Sequence, residues 1–328
     1  MSSSSRIDKE MKRGIEEKVF PGAALLVASR GKVVYRNFFG GATERTIFDI
    51  ASLTKPVATA AIALSAVRER KLKLNSSVSR FTLQQLLDHT SGLPAWRPYF
   101  EEIAREHPDS VGKRESRKYY LEKISKEPIE GKAGQKRVYS DLGFILLGIF
   151  LEDTCGSPLD QLFAEKVSDP FGMKDTFYVP VGARRETSRP DNLFTATGQS
   201  VWRNKLIQGE VHDDNAYTLG GVAGHAGLFS TVDDLHLFLT AWKKSGPANE
   251  IKLGWDSPNE QNSQAGSHFS KNSIGHLGFT GCSFWLDLDR DFCVILLTNR
   301  VHPSSQNEAI KKFRPILHDI IYEELIKG

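Results

Sequence analysis

The chain has 328 residues, 40% of them hydrophobic and 25% charged, and a formal net charge of +3. That balance fits a globular protein of one large domain or two intimate ones, with enough apolar residues to bury a substantial core. Its basic residues are interspersed with acids even in the densest stretch, Lys113 to Lys118, so neither a nucleic-acid surface nor a membrane surface is expected.

The first residues, Met1-Ser2-Ser3-Ser4-Ser5, lead into Arg6, Asp8, Lys9 and Glu10 without an apolar segment, and no run of about 18 apolar residues follows, so a cytoplasmic chain is expected. Ile7, Met11 and Ile15 at helical spacing predict a helix over residues 6–18, broken by Pro21-Gly22. The runs Ala23–Ala28 and Lys32–Phe39 flank Arg30-Gly31 and predict an antiparallel hairpin, ended by Gly40-Gly41 and followed by a short strand over Thr46–Ile50.

Next comes Ile50-Ala51-Ser52-Leu53-Thr54-Lys55-Pro56, which places a hydroxyl and an amine three residues apart at a helix start. Residues i and i+3 of a helix share a face, with Cβ atoms about 5–6 Å apart, so Lys55 reaches the oxygen of Ser52. Proline is tolerated in a first turn, which puts Ser52 at or beside the helix N-terminus, where the dipole favours developing negative charge. A lysine partly desolvated in a closed site can give up its proton and accept that of Ser52, making a nucleophile with its base. Val57, Ala60, Ala61, Leu64 and Val67 form one apolar stripe and predict a buried central helix.

From Phe81 to about Ser270 the signal is mostly helical and loop-rich. A helix from Leu83 stops at Ser91-Gly92, with His89 near its end as a local hydrogen-bonding residue, and residues 98–128 read as two solvated helices. Tyr139-Ser140-Asp141 precedes a helix whose Leu142, Ile145, Leu146, Ile149 and Phe150 are expected to be buried. The glycine-rich Gly220–Gly227 allows close backbone approach to a cleft, and Thr231-Val232-Asp233-Asp234 caps a helix carrying Leu235, Phe238, Leu239 and Trp242. Strands over Leu277–Leu288 and Phe292–Asn299, joined by Asp289-Arg290-Asp291, precede a last helix with Ile310, Phe313, Leu317, Ile320 and Ile321. The expected fold is α/β (α+β), with an antiparallel sheet from both chain ends flanked by the terminal helices. Residues 1–51 and 271–328 would form the sheet lobe and 52–270 a mostly helical lobe, with the site between them. Cys155, Cys282 and Cys293 lack metal-ligand spacing and fit reduced thiols.

Together, Ser52-Leu53-Thr54-Lys55, Tyr139-Ser140-Asp141 and His276-Leu277-Gly278 resemble the serine β-lactamase and penicillin-binding protein superfamily, in its class C β-lactamase, DD-peptidase and esterase branch. The segments Leu86–Leu93 and Ala226–Leu235 are similar to that branch as well. The resemblance implies that Ser52 is acylated, that Lys55 is its base or proton relay, and that Tyr139 carries a proton to the leaving group. It also implies an oxyanion hole made by the N–H groups of Ser52 and Phe279. Asp141 stands where the branch has asparagine; an acid there raises the Lys55 pKa and shifts the base role toward Tyr139. His276-Leu277-Gly278 stands where it has Lys-Thr-Gly, which leaves a part-time charge at His276 and no hydroxyl at Leu277. His225, His212, Asp213 and Asn215 are candidates to line the cleft, His225 as a substrate contact. No metal site is expected, since His212-Asp213-Asp214 lacks a third spaced ligand, and no cofactor. The expected function is a serine hydrolase of a small-molecule or peptide substrate, cleaving esters, D-amino-acid peptides or β-lactams through an acyl-enzyme. The alternative is a non-catalytic binding or scaffold protein on the same fold.

Overall fold

The computed structural model describes residues 5–183, 190–246, 250, 252–258 and 263–327. Helix α1 (Arg6–Glu16) is capped by Ser5, whose Oγ accepts the Asp8 N–H at 3.1 Å. It leads into strands β1 (Ala23–Ser29) and β2 (Lys32–Phe39), turned by Arg30 and Gly31 with φ of 50° and 74°, the paired positive values that suit a two-residue hairpin. Three strands from the other end of the chain complete the main sheet: β3 (Ser273–Leu277), β4 (Ser283–Asp287) and β5 (Phe292–Thr298). The order is β3-β4-β5-β1-β2, antiparallel throughout, with Leu25 opposite Leu296.

Strand β5 is buried along its whole length, and β1 along all but its last residue, because helices cover both faces; this explains their continuous apolar runs. Leu25, Val27, Val294 and Leu296 face α1 and the last helix, α5 (Ile310–Ile321), through Ile7, Met11, Phe313 and Leu317. Ala24, Leu26, Ile295 and Leu297 face the larger core. That core is built on α2 (Ala61–Arg68), α3 (Asp141–Cys155) and α4 (Val232–Trp242). The 98–128 region holds helices Tyr99–Glu106 and Arg117–Lys126.

One expectation is corrected. Residues 277–288 are not a single strand: β3 ends at Leu277 and β4 starts at Ser283, with a tight turn between them. In it the Gly278 N–H donates to Cys282 O at 2.7 Å and the Gly281 N–H to Gly278 O at 2.9 Å. Apolar Phe279 and Cys282 inside the turn hide the break, and the glycines mark it. A Cβ on Gly278 would lie 2.7 Å from Ile50 O, so only glycine lets this turn press against the segment that leads to Ser52.

Candidate active site

The short strand Phe48–Asp49 pairs with Leu228–Ser230, which pairs in turn with Phe177–Tyr178. It delivers the chain into a 3₁₀ turn, Ala51–Leu53, that continues as the π-helical Lys55–Ala60 and then α2. Ala51 sits at φ 48°, a left-handed conformation that costs a residue with a Cβ about 1–2 kcal/mol. The buried Asp49 holds it there. Its Oδ1 accepts the Ala51 N–H at 2.8 Å, its Oδ2 the His212 N–H at 2.7 Å, and its carbonyl the Thr280 hydroxyl at 2.7 Å. One residue thus joins the Ser52 turn, the His212 loop and the β3–β4 turn. Burial pushes its carboxyl up to about 6, against the two N–H bonds.

Ser52 opens onto the cleft, and Lys55, fully buried, lies one turn on. The Lys55 Nζ donates to Ser52 Oγ at 2.9 Å, Tyr139 OH at 2.7 Å and Asp141 Oδ1 at 2.6 Å. Tyr139 and Asp141 flank Ser140, whose Oγ caps α3 by accepting the Gly143 N–H at 3.2 Å. The capped helix start therefore aims both side chains at the lysine. Burial on its own presses the Lys55 pKa down; the charge of Asp141, with the hydrogen bonds to Asp141 and Tyr139, outweighs it, and the net shift is upward. The Tyr139 phenol is pushed up to about 12, first by burial and then by Asp141 and Asp256, against the pull of Lys55. At rest the cluster is an ammonium–carboxylate pair beside a neutral phenol.

His89 does more than bond locally at a helix end. Its Nδ1 accepts the Ser140 N–H at 3.0 Å and its ring lies 4.6 Å from that of Tyr139, so it braces the turn carrying Tyr139. His276 carries no part-time charge. Its ring is buried, burial pushes it down to about 4, and Nδ1–H donates to Leu277 O at 3.0 Å. The strand packing that buries it was not visible in a local pattern. Leu277, Gly278 and the half-exposed Phe279 line the cleft, and among the described residues the Phe279 N–H has no protein acceptor. His225 does not face the substrate space: its ring is buried with Nε2 2.9 Å from Asp213 Oδ1, and only its carbonyl reaches Lys55, at 3.4 Å. Asn215 points into the protein, accepting from the Phe100 N–H at 3.1 Å and the Tyr120 hydroxyl at 2.9 Å. His212 and Asp213 do line the cleft, whose volume is about 850 Å³. Asp49, Arg300 and Arg314 line it too and were missed; for Asp49 a charged residue inside an apolar run was the only sequence signal, and Arg300 and Arg314 had none.

The sequence pattern of the Beta-lactamase family matches residues 7–314. The chain belongs to the Beta-lactamase family. As a member it is a serine hydrolase. It is 28% identical to the N-acetylmuramyl-L-alanine amidase of Bacillus subtilis (strain 168), over 90% of this chain and 81% of that one. It is 26% identical to a protein of Escherichia coli O157:H7 provisionally named D-alanyl-D-alanine carboxypeptidase, over 89% of this chain and 82% of the relative. Among solved structures, EstCE1, a hydrolase with promiscuous acyltransferase activity, superposes with a TM-score of 0.70 at 20% identity, covering 95% of this chain and 97% of that one. That last likeness is one of fold alone, as is that to a class C β-lactamase, which superposes with a TM-score of 0.69 at 17% identity over 97% of this chain and 96% of that one.

Proposed function

We propose that this chain cleaves esters and amides through an acyl-enzyme on Ser52. The observation that carries the reading is the convergence on Lys55 Nζ of Ser52 Oγ at 2.9 Å, Tyr139 OH at 2.7 Å and Asp141 Oδ1 at 2.6 Å, at the wall of an open cleft. Ser52 Oγ attacks the substrate carbonyl and passes its proton to Tyr139 in its phenolate form, reached when the phenol has lost its own proton to solvent and stabilised by the Lys55 ammonium. The carbonyl oxygen gains negative charge and is met by the N–H groups of Ser52 and Phe279. The couple returns the proton to the leaving oxygen or nitrogen, and water repeats the cycle to release the acid and free Ser52. With Lys55 held as an ammonium by Asp141, it serves as the fixed positive charge of the couple, and Tyr139 as the group that moves the proton.

The names of the two sequence relatives put peptide amides containing D-amino acids or muramyl groups among the substrates to consider. The neutral His276 and the hydroxyl-free Leu277 argue for esters and amides over penicillins, whose carboxylate is fixed close to the scissile carbonyl. The test is kcat/KM for 4-nitrophenyl butyrate and for a penicillin, in the unmodified protein and in Ser52→Ala. The ester is expected to be the better substrate after correction for intrinsic reactivity, and Ser52→Ala to abolish both activities. Ester turnover that survives in Ser52→Ala contradicts the assignment.

A further inference from the structure

Among the described residues, two buried arginines on the sheet side of the cleft have no carboxylate partner. Arg300 follows β5 and Arg314 lies on α5; they are 8% and 2% exposed, and both line the cleft that contains Ser52. Arg300 Nη1 donates to the carbonyls of Ser305 at 2.9 Å and Asn307 at 2.6 Å, and its guanidinium carbon lies 4.9 Å from the centre of the Phe279 ring. Arg314 Nη2 donates to Gly281 O at 2.7 Å and its Nη1 to Gln264 Oε1. Every one of these acceptors is uncharged, and among the described residues the Nε of each arginine has no hydrogen-bond partner.

The acids lining the same cleft are all engaged. Asp141 pairs with Lys55, Asp213 with His225, Asp214 with Arg203 and Asp256 with Arg137, while Asp49 accepts two backbone N–H groups. Lys311, at the rim, pairs with Glu308. Among the described residues, the cations that line this cleft without a carboxylate within ion-pair distance are therefore Arg300 and Arg314. Burying a cation without a counter-charge is expensive, and two side by side are more so. Burial pulls Arg314 down to about 9, and the positive charge of Arg300 works in the same direction. The backbone is shaped around the pair: Gly281 has φ 99°, and a Cβ there would lie 2.4 Å from Arg300 Cγ.

We propose that Arg300 and Arg314 form an anion subsite that receives a carboxylate of the substrate beside the oxyanion turn. The planar fork of a guanidinium matches a carboxylate, and its charge does not depend on a neighbour as that of His276 would. The subsite sits at Gly281, two residues past the oxyanion donor Phe279 in the same turn. It therefore suits an ester or amide whose carboxylate lies several bonds from the scissile carbonyl, in contrast to the rigid carboxylate of a penicillin. The inference rests on the acyl-transfer reading of Ser52.

Two matched pairs of esters test it. One pair puts the carboxylate on the acyl group, 4-nitrophenyl hydrogen glutarate against 4-nitrophenyl butyrate; the other puts it on the leaving group, 3-carboxyphenyl butyrate against phenyl butyrate. After correction for intrinsic hydrolysis, the unmodified protein is expected to favour the anionic member of at least one pair by at least about tenfold in kcat/KM, the factor given by a charge-assisted hydrogen bond of about 1.5 kcal/mol. In Arg300→Gln and Arg314→Gln that anionic-to-neutral ratio is expected to fall by about the same factor. No preference in either pair overturns the subsite, even if a variant fails to fold. A preference that persists in the folded variants, or rates that fall equally on both members, makes the arginines mere supports of the turn and overturns it as well. Hydrolysis of the neutral esters and its loss in Ser52→Ala test acyl transfer, whereas the ratio tests only the subsite.

Discussion

Beside Asp141 at 2.6 Å, Lys55 keeps its proton at rest, so in the proposed relay it is a fixed charge that stabilises Tyr139 as the phenolate that accepts the Ser52 proton. Removing either half of the couple should cost what loss of a positioned proton-transfer group costs, about 10²–10⁴-fold in kcat/KM, for Lys55→Ala and for Tyr139→Phe alike. A Tyr139→Phe enzyme working at full rate would take the tyrosine out of the relay. Asp49 offers a second residue-scale test through pH. Its carboxyl is pushed up to about 6 from an ordinary value of 3.8, so between those values the folded protein binds the extra proton and the unfolded chain does not. Stability from this group is present below that window and falls as pH rises through it, by about 3 kcal/mol. Urea unfolding of the unmodified protein and of Asp49→Asn at pH 3.5 and 6.5 isolates the effect. The stability of the unmodified protein relative to Asp49→Asn should drop across that range, and a difference that is flat would mean that Asp49 does not titrate there.

The β3–β4 turn and the 3₁₀ turn of Ser52 work as a pair, because each supplies one of the two proposed oxyanion donors. They touch where Gly278 meets Ile50 O, and they are tied where the Thr280 hydroxyl meets Asp49 O. Gly278→Ala should move the Phe279 N–H off the oxyanion and lower kcat/KM by about 10²–10³-fold, the range for loss of one such donor, with circular dichroism unchanged. Activity within threefold of the unmodified protein would place the oxyanion donor elsewhere. The Ser52 element was legible in the sequence because the Ser52–Lys55 relation is local, set by one helical turn whose start Pro56 marks. Tyr139 and Asp141 reach the same lysine from 84 and 86 residues away, and only the resemblance joined them. The β3–β4 break, the burial of His276 and the inward turn of His225 depend on packing between distant segments, which no short window records.

At the scale of the molecule, the sheet from both chain ends was legible because apolar runs at the two termini need partners, and β1 and β5 provide them for each other. The charge distribution of the cleft was not. Arg300 and Arg314 come from a loop and a helix that look like ordinary surface segments, and folding brings both to the wall that holds the oxyanion turn. In the proposed mechanism this cleft holds the proton relay on the α3 side and the oxyanion hole on the sheet side, with the carbonyl of the substrate between them. The most direct measurement is the intact mass of the protein after a fluorophosphonate probe, followed by peptide mapping. One adduct is expected, on the peptide containing Ser52 and absent from Ser52→Ala. An adduct on another residue, or a protein that takes up no probe on Ser52 yet hydrolyses 4-nitrophenyl butyrate, would contradict catalysis through Ser52.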